Sequence, residues 1–296
     1  MAKNVTRRAF VGALATGTLA TGASMALADG PRQLREPVYR VSNAKIDGNR
    51  GVNGHPLDPA LQLASQGLNH IQAKVNDYTA TIVKRERING KLMDYEFMFA
   101  KIRNRKVRDN KVVTPFSVYL RFEKPKAAAG REVLYVEGQN NGKLLAHEGG
   151  NSFYSRFGSI WLKPDGAMAM KGQLYPLTDI GLENLVTKLI ERGNQDKRLG
   201  PCEVQFRNAT VDKRQCEVIE VRHPKPDPRF EFCTARIFFD RQLLVPIRYA
   251  AYTWPADGGM RVGTAHVMEE YTYTNLKLNV GLTDEDFSQD NAAYNF

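Results

Sequence analysis

The feature that most constrains this chain is the stretch at 78–103, YTATIVKRERINGKLMDYEFMFAKIR, in which two β-branched and aromatic runs flank Asn89-Gly90. Asn-Gly readily supplies the two positive φ values of a type I′ hairpin turn. With a two-residue turn, Ile88 faces Lys91, and the pairing sets Ile82 opposite Phe97 and Ala80 opposite Phe99. Tyr78 and Tyr95 then share that apolar face. The other face carries Thr79, Thr81, Arg85 and Arg87, with Asp94 opposite Arg85 and Glu96 opposite Val83, and reads as the wet side of a one-sided antiparallel sheet. Strands of about 11–13 residues exceed the usual ~5–6, so the expectation is a large curved sheet with an oily concave face.

The N-terminus is a separate matter. Thr6-Arg7-Arg8-Ala9-Phe10-Val11 is a twin-arginine pattern, followed by a mildly apolar run that ends in Ala26-Leu27-Ala28 before Asp29. This reads as an export signal over 1–28, cleaved between Ala28 and Asp29. The run is rich in Gly and Thr and too weakly apolar for a convincing membrane anchor, although an uncleaved tether stays open as the alternative. The first cysteine, Cys202, is far from the cleavage site, which argues against a lipid anchor on an N-terminal cysteine. The expected destination is the periplasm, by the twin-arginine route.

The formal charge is +10, and losing Lys3, Arg7 and Arg8 with the signal leaves the mature chain basic. On an exported protein, basic charge points to anionic lipid headgroups or cell-wall polymers rather than nucleic acid. The plainer account is a solvated outer face, because Lys and Arg alternate with apolar residues along the strands. Three cysteines, Cys202, Cys216 and Cys233, allow one disulfide and one spare thiol without identifying the pair. Their spacing is not that of a zinc site, and no cofactor is expected.

Taken in order, 29–56 is Gly, Asn, Arg and Pro rich without periodicity and reads as a flexible lead-in. Asp58 and Pro59 then stand where an N-cap and first helical residue belong, and Leu61, Ala64, Leu68, Ile71 and Val75 follow at helical spacing over about 17 residues. After the hairpin, a basic link at 104–114 leads to a strand on which Phe116, Val118, Leu120 and Phe122 share a face. GREVLYVE and KLLAHE bracket a Gly-Asn-rich turn, and 159–163 adds a sixth strand. A second helix is signalled by Thr178 and Asp179 at its start, by Leu182, Leu185, Val186, Leu189 and Ile190 on one face, and by Arg192-Gly193 at its end. Just upstream, Met168 and Met170 read as core filler more than as ligand contacts. Five further strands follow at 202–211, 215–222, 230–240, 245–254 and 264–278. Those near Ile237, Phe239 and 243–247 are apolar on both parities and so more buried. No repeat or linker divides the chain, so 57–288 reads as a single domain with a tail at 289–296.

Four motifs, VKRERINGKL, PFSVYLRFEKP, GREVLYVEGQNNGKLLAHEGG and AMAMKGQLYPLTDIGL, resemble the bacterial domain-of-unknown-function family 1571, over roughly 57–287. More loosely, the order of elements is similar to the periplasmic lipoprotein-carrier superfamily of LolA, LolB and the sigma-factor regulator RseB. The resemblance implies an α+β fold, a curved antiparallel β half-barrel of about 10–11 strands with two helices covering the concave face. It also implies a concavity that holds a lipid or acyl chain, and it carries over no catalytic residue.

An enzyme would need a constellation of reacting groups. His147 and Glu148 are adjacent on a strand and point to opposite faces, so they cannot serve one metal or one acid–base pair without a bulge. His70, His223 and His266 are scattered, and no His-Glu-x-x-His, Gly-x-Ser-x-Gly or phosphate loop occurs. The leading expectation is a non-enzymatic protein that binds a hydrophobic or lipidic ligand, or a lipoprotein. The alternatives are an envelope-stress scaffold that binds protein and a hydrolase with a site near His147 and Glu148. The expected ligand face comprises Tyr78, Ile82, Tyr95, Phe97, Phe99, Phe116 and Val118 on the sheet with Leu185 and Leu189 on the second helix. Each helix stripe covers a strip only ~10 Å wide, against ~25 Å for five or six strands, so part of the face should stay open.

Overall fold

The computed structural model describes residues 39–45, 54–149, 158–254 and 266–296. In chain order the elements are β1 (Tyr39–Lys45), α1 (Asp58–Lys74), β2 (Asp77–Ile88), β3 (Lys91–Leu92), β4 (Glu96–Arg103), β5 (Lys106–Arg108), β6 (Lys111–Thr114), β7 (Ser117–Lys124), β8 (Glu132–Val136), β9 (Leu144–His147) and β10 (Ser159–Leu162). Then come α2 (Leu182–Leu199), β11 (Glu203–Val211), β12 (Arg214–Arg222), β13 (Thr234–Asp240), β14 (Pro246–Thr253) and β15 (His266–Leu278).

Two antiparallel meanders join where β15 pairs with β2, giving the order β1-β11-β12-β13-β14-β15-β2-β4-β7-β8-β9-β10, with β3 appended to β2. The thirteen-stranded sheet is not closed into a barrel, because β1 and β10 stay as its two edges. Both helices lie on the concave face, and the fold is the expected α+β curved half-barrel. Two segments differ from the sequence reading. Part of the lead-in forms β1, which pairs with β11, and the basic link at 104–114 forms a separate β5–β6 hairpin with Asp109 and Asn110 at positive φ. Among the described residues no helix is long and apolar enough to cross a membrane.

The Asn89-Gly90 turn forms as expected, with both residues at positive φ and Ile88 opposite Lys91. That register extends only through β3. Residues 93–95 leave the ladder, and β4 re-enters one residue out of step, with Thr81 opposite Phe99, Ile82 opposite Met98 and Val83 opposite Phe97. Because side chains alternate with period two, a one-residue slip moves a whole set to the other face. The concave face of this pair is therefore Tyr78, Ala80 and Ile82 with Met98, Ala100 and Ile102, all buried. Phe97 and Phe99 lie on the outer face.

Nor is the outer face wet. Tyr119, Leu134, Val136, Leu145 and Phe287 form a second buried cluster there, with Phe99, Leu282, Tyr294 and Phe296 packed against it. The C-terminal tail covers this cluster. Tyr294 stacks on Tyr119 with centroids 3.8 Å apart, and Asn295 donates through its backbone N–H and its Nδ2 to the buried Glu132.

On the concave side, Ile71 from α1, Val75 just after it, and Leu182 and Val186 from α2 join the main core with Tyr78, Ala80 and Val118. α1 starts one residue earlier than expected, with Leu57 at the N-cap position without a side-chain cap bond and Asp58 already helical; the Asp58 carboxylate accepts from the His55 N–H at 2.9 Å and pairs with Lys197. α2 differs at both ends. Leu177–Asp179 is a 3-10 turn, and the helix begins after Gly181, whose φ is +113°. A side chain at Gly181 would also meet the Tyr78 hydroxyl at 3.1 Å, and that hydroxyl accepts the Leu182 N–H at 2.8 Å, satisfying one of the orphan donors of the helix start. At the other end Gly193 does not stop the helix. It sits inside α2 where a Cβ would come within 2.7 Å of Leu61, so its lack of a side chain lets α1 and α2 approach.

The three cysteines correct another expectation. Cys202, Cys216 and Cys233 are all buried and free, so there is no disulfide. Burial pushes the Cys216 thiol up to about 12 and that of Cys202 up to about 11.

Candidate functional site

Beyond the ends of the helix contacts the concave face stays open, and a cavity of about 1050 Å³ remains between the sheet, α2 and the segment 164–180. Its floor has two chemically distinct halves. On β2, β4, β7, β8 and β9 the lining is apolar, with Ile82, Met98, Leu120, Phe122, Val133 and Leu144. On β2, β14 and β15 it is polar, with Lys84, Glu86, Tyr249, Glu269 and Tyr271.

The roof is mostly the crossing segment 164–180, which brings Gln173, Leu174 and Tyr175 down onto the polar half. The Lys84 ammonium donates to the Gln173 side-chain Oε1, the Leu174 N–H donates to Glu86 Oε2 at 3.2 Å, and the Tyr175 hydroxyl donates to Glu269 Oε1 at 3.3 Å. Three consecutive residues are thus tied to three charged residues of the floor. Met168 is 67% exposed at the rim rather than core filler. Leu185 and Leu189 of α2 complete the wall.

The polar half concentrates charge in a dry place. Glu86 and Glu269 stand directly opposite each other across β2 and β15, 4% and 5% exposed. The Tyr271 hydroxyl lies between them, 2.5 Å from Glu86 Oε1 and 3.1 Å from Glu269 Oε2. A phenol has one proton and cannot donate to both at once. Lys84 lies 3.0 Å from Glu96 and 3.5 Å from Glu86. Among the described residues no cation pairs with Glu269. Burial, together with the charge of Glu86, raises its carboxyl to about 7 against the opposing effect of the tyrosine hydrogen bonds. The phenols of Tyr249 and Tyr271 are held neutral, their acidity suppressed by burial and by Glu269.

Of the residues expected to form the ligand face, Ile82, Leu185 and Leu189 line the cavity. Tyr78 and Val118 are fully buried in the core beneath the helices, and Phe116 packs against that core and Tyr135. Tyr95, Phe97 and Phe99 are on the outer face. There the Tyr95 hydroxyl donates to Glu270 at 2.7 Å, and its ring carries the Arg85 guanidinium, while Phe97 lies beneath Lys124 and Phe99 beneath Arg121. The reason is the one-residue slip after β3. His147 and Glu148 have separate partners: His147 Nδ1 is 3.3 Å from the Ser159 hydroxyl, and Glu148, at the cavity rim, accepts from Arg131. Among the described residues no group of three His, Cys, Asp or Glu side chains could hold a metal ion. Arg7, Arg8, Ala28 and Asp29 lie outside the described residues.

The sequence reading missed Lys84, Glu86, Tyr175, Tyr249, Glu269 and Tyr271. For two of them the signal was in the alternation, because Lys84 and Glu86 continue the parity of Tyr78, Ala80 and Ile82.

No curated protein matches the chain. Similar solved structures include a DUF1329 family protein from Desulfovibrio piger, at 14% identity and TM-score 0.38, covering 80% of this chain and 98% of that one. Another is an outer membrane lipoprotein-sorting protein domain, so described, from Vibrio parahaemolyticus, at 13% identity and TM-score 0.35, covering 77% and 95%. A LolA superfamily protein from Nitrosomonas europaea gives 12% identity and TM-score 0.31, covering 78% and 98%. The family model described as "Protein of unknown function (DUF1571)" matches residues 75–296, and the chain belongs to that family.

Proposed function

We propose that this protein is an exported, non-enzymatic binding protein that holds the hydrocarbon part of a lipidic ligand in the cavity beneath segment 164–180. The supporting observation is the cavity itself. Its volume of about 1050 Å³ is just above the usual range for small-molecule sites, roughly 300–1,000 Å³. Its apolar half is lined by six strand residues, and an alkyl chain laid against them leaves water at a gain of about 25 cal/mol per Å² of buried apolar surface. The twin-arginine pattern supports a periplasmic location, reached after folding.

Native mass spectrometry of protein purified from the exported fraction tests this reading. The expected spectrum contains an adduct of lipid mass that is released on denaturation. A ligand-free mass, together with failure to take up a fluorescent fatty acid, would overturn the carrier reading and favour a scaffold that binds protein.

A further inference from the structure

Building on the carrier reading, we propose that the polar half of the cavity is a head-group subsite for a cationic amine, so that the ligand is an amphiphile that carries a hydrocarbon chain and a primary ammonium group in its head. The inference stands on the placement of charge, rings and empty space together. Glu269 is nine-tenths buried, faces the cavity and has tyrosine hydroxyls for partners, with no cation among the described residues. A buried carboxylate without a counter-charge is costly, and an ammonium arriving with the ligand supplies that charge where the chain does not.

The groups that face Glu269 from each element around it leave that role unfilled. From β2 come Glu86, which adds a second negative charge, and Lys84, which is shared between Glu86 and Glu96 and bound to Gln173 of the roof. From β15 and β14 come Tyr271 and Tyr249, and from the roof Tyr175, all phenols. From α2 the cations that line the cavity are Arg192, paired with Glu231, and Lys188, paired with Asp179.

The geometry also matches an ammonium in number and shape. Three N–H donors on one nitrogen suit the two carboxylates and a tyrosine oxygen, and no other common head group offers three donors and no acceptor. The rings of Tyr249 and Tyr271 stand 6.4 Å apart and 12° from parallel, on the polar half of the lining, where an aromatic face attracts a cation. From there the apolar half, Ile82, Met98, Leu120 and Phe122, receives the chain. A carboxylate or phosphate at the same place would meet Glu86 and Glu269 with like charge.

A free long-chain amine and an ethanolamine phospholipid present the same group. Both are therefore arms of the test, which is isothermal titration of the purified mature protein at pH 8 with dodecylamine, dodecan-1-ol, dodecanoic acid and a lysophosphatidylethanolamine of equal chain length. The expected result is that at least one amine binds about tenfold or more tighter than the alcohol and the acid. Whichever amine binds tighter identifies the source. Glu269→Gln should shrink the preference for the amine over the alcohol to about threefold or less. An alcohol that binds as well as either amine, or an amine preference that survives Glu269→Gln intact, would overturn the subsite and leave the carrier reading standing. If none of the four binds, the carrier reading itself fails.

Discussion

Replacing Glu269 with Gln removes a buried charge and keeps the shape of the side chain; one of the Tyr175 and Tyr271 hydroxyls, which bond different carboxylate oxygens, still finds an acceptor, and the other meets the amide NH2, to which its own oxygen is an acceptor. Because the folded-state value is raised from 4.5 to about 7, the folded chain holds the Glu269 proton more tightly than the unfolded chain does. Below pH 4.5 both states are protonated and the residue contributes nothing to the pH dependence. Between 4.5 and about 7 the unfolded chain has lost its proton while the folded one keeps it, so stability falls as pH rises. Above about 7 the penalty is complete, and the difference between the two values corresponds to roughly 3 kcal/mol. The Gln side chain resembles the protonated acid at every pH. Glu269→Gln should therefore be near neutral at pH 4.5 and about 3 kcal/mol more stable than the parent at pH 8. Urea unfolding of both proteins at the two pH values measures this, and titrating groups not coupled to Glu269 cancel in the difference. A gap between variant and parent that is the same at both pH values, or a variant less stable at pH 8, would refute the burial argument.

Other expected outcomes follow from the register, the helix crossing, the thiols and the leader. Phe97→Arg places a cation on the outer face and should leave ligand co-purification unchanged, whereas Ile82→Arg on the cavity floor should abolish it, as lipid extraction would show. Gly193→Ala, favourable by helix propensity, should cost about 1–3 kcal/mol in denaturant unfolding because its Cβ meets Leu61 at 2.7 Å. Smaller Leu61→Ala partners should restore part of that loss. Thiol titration should find no fast-reacting cysteine in native protein and three after denaturation. Changing Arg7 and Arg8 to Lys should block export, scored by cell fractionation.

How far the sequence could be read depended on whether a property was set locally. The Asn89-Gly90 turn, the start of α1 near Asp58-Pro59 and the double-sided burial of β13 and β14 depend on neighbouring residues, and each can be recognised from them. The end of α2 was misread because Gly193 carries the signal of a helix stop while serving a contact with Leu61, a residue 132 positions away in the chain. A glycine's local meaning and its packing meaning are indistinguishable until the partner helix is in place.

The face of Phe97 and Phe99 was misread for a related reason. Hairpin register is inherited from the turn only while pairing is continuous, and nothing in Met93-Asp94-Tyr95 announces that the ladder breaks there. One displaced residue exchanges an aromatic concave face for one of Met98, Ala100 and Ile102, which are smaller or more flexible. Of these three, Met98 lines the cavity, while Ala100 and Ile102 pack in the core. The same parity runs on from Tyr78, Ala80 and Ile82 to Lys84 and Glu86, so the strand that supplies the apolar floor also carries charge into the cavity. Charged residues on a buried strand face are stable only with partners, and here the partners come from β15 and from segment 164–180, far off in sequence. The alternation in β2 thus shows that a buried polar cluster must exist, while its composition depends on which distant segments fold over it.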